Sequence, residues 1–179
     1  AKILQVCERY GFVKPINMQL QLNCAYTEEE REMIPYCVDQ GIGVSVFSPL
    51  ARGVLTNDLQ STRNKTDFFT AEMYNDQASI DIAHSVAKVA QSRDCSPAQV
   101  AQAWVLNKSQ VSSMLVGADT KEQFDSALNA LTMTLSDSEI YEIERNYTPC
   151  DLINDYTSGK RIPRTSRPAK EFGLLESVI

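Results

Sequence analysis

Two glycine-containing loops follow short β-branched segments, and they carry residues that suit a phosphate group. Ser48–Gly53 (SPLARG) comes directly after Gly43–Phe47, and Gly117–Thr120 (GADT) comes directly after Val111–Val116. A glycine has no side chain, so its backbone can approach a phosphate closely. Loops that follow neighbouring strands of an α/β barrel are a common place for a phosphate site.

The charges and the local helix pattern add to this indication. Arg52 and Lys121 are basic, and Thr120 begins a segment with helical spacing. The N–H groups and the dipole at a helix N-terminus favour an anion. The pattern therefore indicates a phosphate-bearing ligand, although an ordinary turn at SPLARG and a plain strand-to-helix joint at Gly117 explain the same residues equally well.

Other familiar catalytic arrangements find little support in the sequence. His84 is the only histidine, which excludes a His-rich metal site and a Ser-His-Asp triad built on any other histidine of this chain. His84 lies between Ile82 and Val86 in a helical pattern, so we expect a surface or packing role. The scattered cysteines are Cys7, Cys24, Cys37, Cys95 and Cys150. Their spacing predicts free thiols in a reducing compartment, and hence a cytoplasmic protein.

The charge balance limits the classes of partner. The chain has 17 Lys and Arg residues against 23 Asp and Glu residues, which gives a net charge of −6. This mild acidity argues against nucleic acid or an anionic membrane as the main partner. The sequence also contains no apolar run of the roughly 18 residues that a membrane-spanning helix requires. We therefore expect neither nucleic acid nor a membrane as a partner.

Four helix starts are predicted by one repeated pattern. A Ser or Thr stands three residues before a Glu or Gln, so that the first side chain can cap the third N–H and the second can reach back. The pairs are Thr27 with Glu30, Ser96 with Gln99, Thr120 with Gln123, and Ser136 with Glu139. The chain also opens within a helical pattern that Gly11 would end, so we expect a segment before it, either cut away or supplied by a partner.

Three strands are predicted between these helices. Pro15–Leu22, Gly43–Phe47 and Val111–Val116 are short, with alternating or β-branched residues. Strands separated by helices form parallel βα units, and three such strands leave a sheet open at both edges. A (β/α)₈ barrel takes about 250 residues. The 179 residues therefore predict an α/β fold that is a fraction of a larger array.

Two polar regions and one aromatic residue complete the prediction. Residues 54–78 form a long polar loop of the kind that is usually functional or disordered. The basic, proline-containing region after Tyr147 is predicted to be a solvated tail, with a cover over a substrate site as the functional alternative. Trp104 shares a helix face with Val100 and Ala103, which predicts a packing role in the core.

Several of these motifs together resemble the aldo-keto reductase family. The matching segments are Met18-Gln19, Asn23, Glu28–Pro35, Asp39–Val44, Phe47–Gly53, Val116–Ala118, Gln123–Leu131 and Leu135–Ile140. They occur in the family's order and spacing over residues 1–147. The resemblance implies a partial (β/α)₈ TIM barrel that contains the end of helix 5 and strands 6–8 with their helices, followed by a tail at 148–179.

The resemblance also implies a cofactor, NADP(H), with NAD(H) as the alternative, and a small-molecule carbonyl or alcohol substrate. Gln19 would hydrogen-bond the nicotinamide carboxamide, and Phe47 would stack on the nicotinamide ring. The pyrophosphate would be held by Ser48, Leu50, Arg52 and Gly53, with residues 54–78 folded over it. The adenosine and ribose-phosphate end would be lined by Gly117, Asp119, Thr120 and Gln123.

The sequence departs from the family pattern in two respects. Asp119 stands where the family often has Ser, and a carboxylate would repel a 2′-phosphate, although Lys121 offers compensation. The family's Asp, Tyr, Lys and His proton-transfer residues belong to segments with no match in these 179 residues. Tyr10, Tyr26 and Tyr36 have no Lys and Asp partners in a comparable motif. We therefore predict no catalytic residue in this chain.

Three functional hypotheses follow from the resemblance. The chain is the cofactor-binding part of an oxidoreductase that needs its N-terminal half, or a non-catalytic nucleotide-binding module similar to a potassium-channel β subunit, or a degenerate product without a function of its own. The open sheet edges predict that the isolated chain dimerises, aggregates or stays partly molten unless a complementing half is present.

Overall fold

The computed structural model describes residues 1–56, 70, 73–150 and 152. Its strands are β1 (Asn17–Gln21), β2 (Gly43–Phe47) and β3 (Val111–Met114). Its helices are α1 (Lys2–Tyr10), α2 (Met33–Asp39), α3 (Gln77–Ser92), α4 (Pro97–Leu106), α5 (Lys121–Ala130) and α6 (Asp137–Glu144). Short 3-10 turns occupy Glu28–Glu30 and Ala51–Thr56. The predicted order of helices and strands along the chain is confirmed.

The three strands form one parallel sheet in the order β1-β2-β3. β1 pairs with β2 without interruption from Asn17 opposite Gly43 to Gln21 opposite Phe47. The pairing of β2 with β3 shifts between Val44 and Ser45. The outer strands are shorter than predicted, since β1 covers Asn17–Gln21 instead of residues 15–22 and β3 covers Val111–Met114 instead of residues 111–116.

The two faces of the sheet have opposite character. Alternate residues of β1 and β2, such as Leu20 and Val46, are buried in the core beneath α3 and α4. The other face carries polar residues: Gln19 is exposed, and the hydroxyls of Ser45 and Ser113 lie 2.7 Å apart in a cross-strand hydrogen bond. Gln19 and Phe47, the two strand residues that the sequence predicts to contact a nicotinamide, belong to this second face.

Two of the four predicted helix caps are present in full. The Ser96 and Ser136 hydroxyls accept from the N–H groups of Gln99 and Glu139, and both longer side chains reach back to the capping residue. Thr120 accepts from the N–H of Gln123, but the Gln123 side chain accepts from the N–H of Asp119 at 2.8 Å instead of from Thr120. The prediction for that pair is therefore half correct.

The predicted cap at Thr27 is wrong. The Thr27 side chain makes no capping hydrogen bond, only a 3-10 turn follows it, and α2 begins at Met33. The Glu30 carboxylate instead pairs with Lys108 at 3.0 Å. A cap that the sequence did not predict occurs at Asp76, which accepts from the N–H of Ser79 at 2.9 Å and starts α3 inside the predicted loop 54–78.

A buried carboxylate joins the turn after β1 to residues 147–150. Glu28 accepts from the Tyr147 hydroxyl at 2.8 Å, from the N–H of Cys150 at 3.0 Å and from Arg31 at 2.8 Å. The Tyr147 hydroxyl also accepts from the N–H of Thr27 at 3.1 Å. Residues 147–150 are thus attached to the turn after β1, whereas the rest of the predicted tail, residues 151 and 153–179, lies outside the described residues.

Trp104 is buried in the core, as predicted. Its side chain is 1% exposed, and its indole N–H donates to Glu144 at 2.9 Å. The Lys108 ammonium lies 4.2 Å from the centre of the indole ring and pairs with both Glu30 and Glu144. This group of charged residues on Trp104 connects the turn after β1 to α4 and α6.

Exposed apolar residues occur in the segment that precedes β1 and in the segment that follows β3. Before β1 these are Ile3, Val6, Tyr10, Phe12, Val13 and Ile16, and after β3 they are Leu115, Val116, Phe124, Leu128 and Leu131. Gly11, which ends α1 in the left-handed conformation with φ 68°, is the predicted helix stop. Within the described residues, no helix has the length and apolar character needed to cross a membrane.

Candidate functional site

The carboxyl ends of β2 and β3 lie side by side at one edge of the sheet. The N–H of Leu115, just beyond β3, donates to the carbonyl of Val46 at 2.8 Å. Since parallel strands run in one direction, the loops that follow them, at 48–56 and 115–120, leave the sheet at this same edge. In α/β folds this is the edge where ligands bind. The two loops predicted to hold a phosphate are therefore brought to one place.

The loop after β2 has an unusual backbone. Ser48, Ala51, Arg52 and Gly53 have φ angles of 57°, 48°, 57° and 102°. The left-handed region is uncommon for residues other than glycine, and such strained positions cluster at functional sites. Turn hydrogen bonds from the N–H of Ala51 to Ser48 at 3.0 Å and from the N–H of Gly53 to Leu50 at 2.8 Å hold the loop. The sequence pointed to Gly53, as to Gly117, for close approach of the backbone to a phosphate, and it did not predict the positive φ of Ser48, Ala51 or Arg52.

Buried polar side chains hold this loop through hydrogen bonds. No role in the site was predicted for these side chains from the sequence. Asn23 is fully buried, and its side-chain N–H groups donate to the Ser48 carbonyl and to the Tyr74 hydroxyl, each at 3.0 Å. Gln21 donates to the same hydroxyl at 2.5 Å. Burial raises the pKa of Tyr74, and hydrogen bonds from Asn23, Gln21 and Ser48 oppose that rise. The polar residues that end β1 were the available signal for this cluster.

The predicted nicotinamide contacts share the polar face of the sheet. Gln19 pairs with Ser45 and Gln21 pairs with Phe47, so Gln19 and Phe47 lie diagonally across two adjacent strands. Diagonal neighbours of this kind are within reach of one planar group. Gln19 is exposed and Phe47 is half-buried. An amide and an aromatic ring are thus available on one surface beside the loop after β2.

The loop after β3 is open at its glycine. A Cβ placed on Gly117 would meet no atom within 4 Å, so the chain itself does not require glycine there. Asp119, Thr120 and Gln123 are brought together at the start of α5 by the two hydrogen bonds that cap the helix. Those bonds occupy the Gln123 carbonyl oxygen, which leaves its amide N–H groups as the donors that can reach a ligand.

The charges at the start of α5 are mainly negative. Lys121 is paired with Asp125, one helical turn further on. The N–H of Glu122 itself and the Thr120 side chain lower the pKa of Glu122, so this carboxylate uses part of the anion-attracting capacity of the helix start. With Asp119 also present, a second phosphate at this end meets less positive charge than Lys121 suggests from the sequence.

Several other predictions concern residues away from this edge. His84 is exposed on α3, in agreement with a surface role, and none of the five cysteines is disulfide-bonded. Within the part of the chain that the structure describes, no three His, Cys, Asp or Glu side chains are grouped so that they could hold a metal ion. Most of the segment predicted to cover a pyrophosphate, residues 57–69 and 71–72, lies outside the described residues.

Comparison with known proteins shows the family to which this chain is related. The model of the Aldo/keto reductase family matches residues 1–147. A Schizosaccharomyces pombe protein provisionally named an aryl-alcohol dehydrogenase is 36% identical over 155 residues, which cover 84% of this chain and 47% of that protein.

Two fungal relatives are similar to the same degree. The versiconal hemiacetal acetate reductase of Aspergillus parasiticus is 37% identical over 150 residues, covering 79% of this chain and 43% of that enzyme. An aldo-keto reductase of Alternaria alternata is 36% identical over 149 residues, covering 81% of this chain and 40% of the relative. The chain thus spans less than half the length of these curated relatives.

Proposed function

The chain belongs to the aldo/keto reductase family, and we propose from this premise that it supplies the cofactor-binding part of an NADP(H)-dependent oxidoreductase. Members of the family fold as (β/α)₈ barrels and act on small carbonyl compounds or alcohols. In this proposal β1, β2 and β3 are strands 6, 7 and 8 of such a barrel. Residues 1–147 form the barrel part, and residues 148–179 form a C-terminal tail.

The observation that carries the proposal is the common edge reached by the two loops. The hydrogen bond between Leu115 and Val46 holds the ends of β2 and β3 together. The left-handed backbone at Ser48, Arg52 and Gly53 turns the first loop sharply above that edge. Successive N–H groups in such conformations form concave anion sites, which suits a pyrophosphate.

Each predicted site residue receives a role in this proposal. Gln19 donates to or accepts from the carboxamide, and Phe47 stacks on the nicotinamide ring. The pyrophosphate is held by Ser48, Leu50, Arg52 and Gly53, and the adenosine end is held by Gly117, Asp119, Thr120 and Gln123. The bound dinucleotide supplies a hydride donor or acceptor. We assign no catalytic residue to the chain, and the proton-transfer group is proposed to come from a segment outside these 179 residues.

The charge distribution makes the choice of nucleotide a central question. The pairing of Lys121 with Asp125, together with the Asp119 and Glu122 carboxylates, weakens attraction for a 2′-phosphate. A carboxylate such as Asp119 can instead accept a hydrogen bond from a free 2′-hydroxyl. We retain NADP(H) as the proposed cofactor on the family resemblance and include NAD(H) as the alternative in the test.

The first experiment is a fluorescence titration of the 179-residue chain with NADPH and, in parallel, with NADH. Gly117→Asp places a negative charge where the chain leaves open space, so the fold tolerates it while a phosphate is repelled. Arg52→Glu reverses a charge in the first loop. Arg9→Glu on α1 makes the same charge change away from the site and serves as the control.

Binding in the micromolar range that both site variants weaken, and that Arg9→Glu leaves unchanged, supports the proposal. A folded chain that binds neither nucleotide contradicts a preformed cofactor site in these residues. Tighter binding of NADH than of NADPH would retain the dinucleotide site and reverse the assignment of the cofactor. Folding of each variant is checked by far-ultraviolet circular dichroism before the titration.

A further inference from the structure

A tyrosine from the segment before α3 reaches back to the ends of the first two strands. Tyr74 is 3% exposed, and its hydroxyl accepts hydrogen bonds from Gln21 at 2.5 Å and from Asn23 at 3.0 Å. These partners are 53 and 51 residues away in the sequence. The contact therefore couples the long connection between β2 and α3 to the site edge.

Asn23 is fixed in a single orientation by its hydrogen bonds. Its carbonyl oxygen accepts from the N–H of Ala25 at 3.0 Å, and its amide donates to both Ser48 and Tyr74. Its backbone is held as well, through a two-way bridge with Tyr26. Because the donors and the acceptor of the amide are all engaged, the side chain cannot flip without losing bonds in a buried place.

The Ser48 carbonyl is where this fixed group meets the phosphate loop. Ser48 has a φ of 57°, which is unfavourable for a residue with a side chain. Its carbonyl accepts from the Asn23 amide and from the N–H of Ala51, both at 3.0 Å. Two donors on one carbonyl fix the direction of that peptide group, and the direction of the peptide at 48 sets the course of the loop that follows.

We infer that Asn23 and Tyr74 are positioning residues that hold Ser48–Gly53 in the left-handed geometry needed for a dinucleotide phosphate. Asn23 orients the Ser48 peptide, and the Tyr74 hydroxyl keeps the Asn23 and Gln21 side chains in place by accepting a hydrogen bond from each. This inference rests on the proposed function for its consequence in binding, but the loop geometry that it explains stands independently of any ligand.

Tyr74 acts by position and not as an acid or base. Burial raises the pKa of the Tyr74 hydroxyl above the ordinary value, although the neutral groups that meet it, the amides of Gln21 and Asn23 and the Ser48 side chain, and the nearby Arg52 charge oppose that rise. A phenol in that setting keeps its proton at neutral pH. Removing the hydroxyl therefore removes an acceptor for two buried amides and leaves the charge of the site unchanged.

The test compares Tyr74→Phe with Tyr141→Phe, a control at a tyrosine that is 71% exposed on α6. Hydrogen–deuterium exchange is followed for a peptide covering residues 48–55 and for a peptide covering 97–106 in α4. We expect exchange of 48–55 in Tyr74→Phe to be roughly tenfold faster, with 97–106 unchanged. Asn23→Asp, which replaces the donating amide by an acceptor, should give the same result.

Binding supplies the second measurement. We expect Tyr74→Phe to bind NADPH roughly tenfold more weakly than wild type. Adenosine 2′-phosphate, which carries no group for the loop after β2, should bind wild type and Tyr74→Phe equally. A residue with only a general structural role would weaken both ligands together.

Each outcome decides a separate claim. Unchanged exchange of 48–55 in Tyr74→Phe overturns the inference whether or not a nucleotide binds. Faster exchange with unchanged NADPH affinity, or with equal losses for both ligands, overturns the positioning role. A wild-type chain that binds no nucleotide contradicts the proposed function, and the exchange measurement then decides alone whether Tyr74 holds the loop.

Discussion

Replacing Glu139 by Gln tests an ion pair that joins α6 to the end of α3. Arg93 donates from Nε to one Glu139 oxygen at 2.5 Å and from a terminal nitrogen to the other at 2.6 Å. The same terminal nitrogen donates to the carbonyl of Thr134 at 2.9 Å. The hydrogen bond from Arg93 is the main reason that the pKa of Glu139 is lowered from 4.5 to about 2.

The size of the effect follows from that pKa. A change from 4.5 to about 2 corresponds to an upper limit of roughly 3 kcal/mol. The Arg93 and Glu139 side chains are 30% and 19% exposed, so solvent screening reduces the contribution to about 1–2 kcal/mol. Because the pKa is lower in the folded state, this stability is fully present above pH 4.5 and is lost as the pH falls toward 2.

The assay is urea unfolding of wild type and Glu139→Gln at pH 7, 5, 4 and 3, at one protein concentration. Gln keeps the capping function at this helix position, so the substitution removes the charge and not the cap. We expect Glu139→Gln to be less stable by about 1–2 kcal/mol at pH 7, and the difference to fall below half of that value at pH 3.

Glu142→Gln on the same helix is the control. Glu142 pairs with Lys88 and Arg145, whose side chains are 70% and 46% exposed, so removing its charge should cost less than removing that of Glu139. A difference between wild type and Glu139→Gln that stays constant from pH 7 to pH 3 would refute the reasoning. So would a Glu142→Gln variant that is the less stable of the two.

Two further predictions concern the chain as a whole. The exposed apolar residues before β1 and after β3 should cause the isolated chain to self-associate. A monomer in sedimentation velocity, together with a sharp two-state transition in thermal unfolding, would contradict this prediction. Burial raises the pKa of Glu28, but hydrogen bonds from Arg31, Cys150 and Tyr147 outweigh it and leave the pKa below the ordinary value. Glu28→Gln should therefore lower the free energy of unfolding by about 1.5–3 kcal/mol at pH 7, and this loss should shrink as the pH falls below the ordinary carboxyl pKa of 4.5. Equal stability of the two proteins in urea at pH 7 would exclude this role for Glu28.

The parts of the fold that the sequence predicted are those set by local bonds. Ser96 with Gln99, and Ser136 with Glu139, form their caps within four residues, so no distant group has to be known. Thr27 failed because Glu30 is drawn to Lys108, which lies 78 residues further along the chain and beside Trp104. A local pattern contains no information about such a competitor.

In the candidate site, too, local features could be predicted from the sequence and features that depend on distant groups could not. The common edge of the two loops that are predicted to hold a phosphate could be foreseen, because a loop after a parallel strand leaves at the carboxyl edge. The left-handed backbone at Ser48 could not, because a residue with a side chain adopts it only where tertiary bonds hold it there. Tyr74 meets Asn23 from 51 residues further along the chain, and the neighbours of Tyr74 in the sequence do not indicate this contact.

The bond between Glu28 and Tyr147 has a consequence for how the protein is made. Its two partners are 119 residues apart. At a synthesis rate of about 5–20 residues per second, a ribosome needs roughly 6–24 s after Glu28 before it has added Tyr147. During that interval the carboxylate lacks two of its final donors, so the turn after β1 stays hydrated while α3 and α4 are already being made. The turn after β1 should therefore be among the last parts of the nascent chain to become resistant to protease.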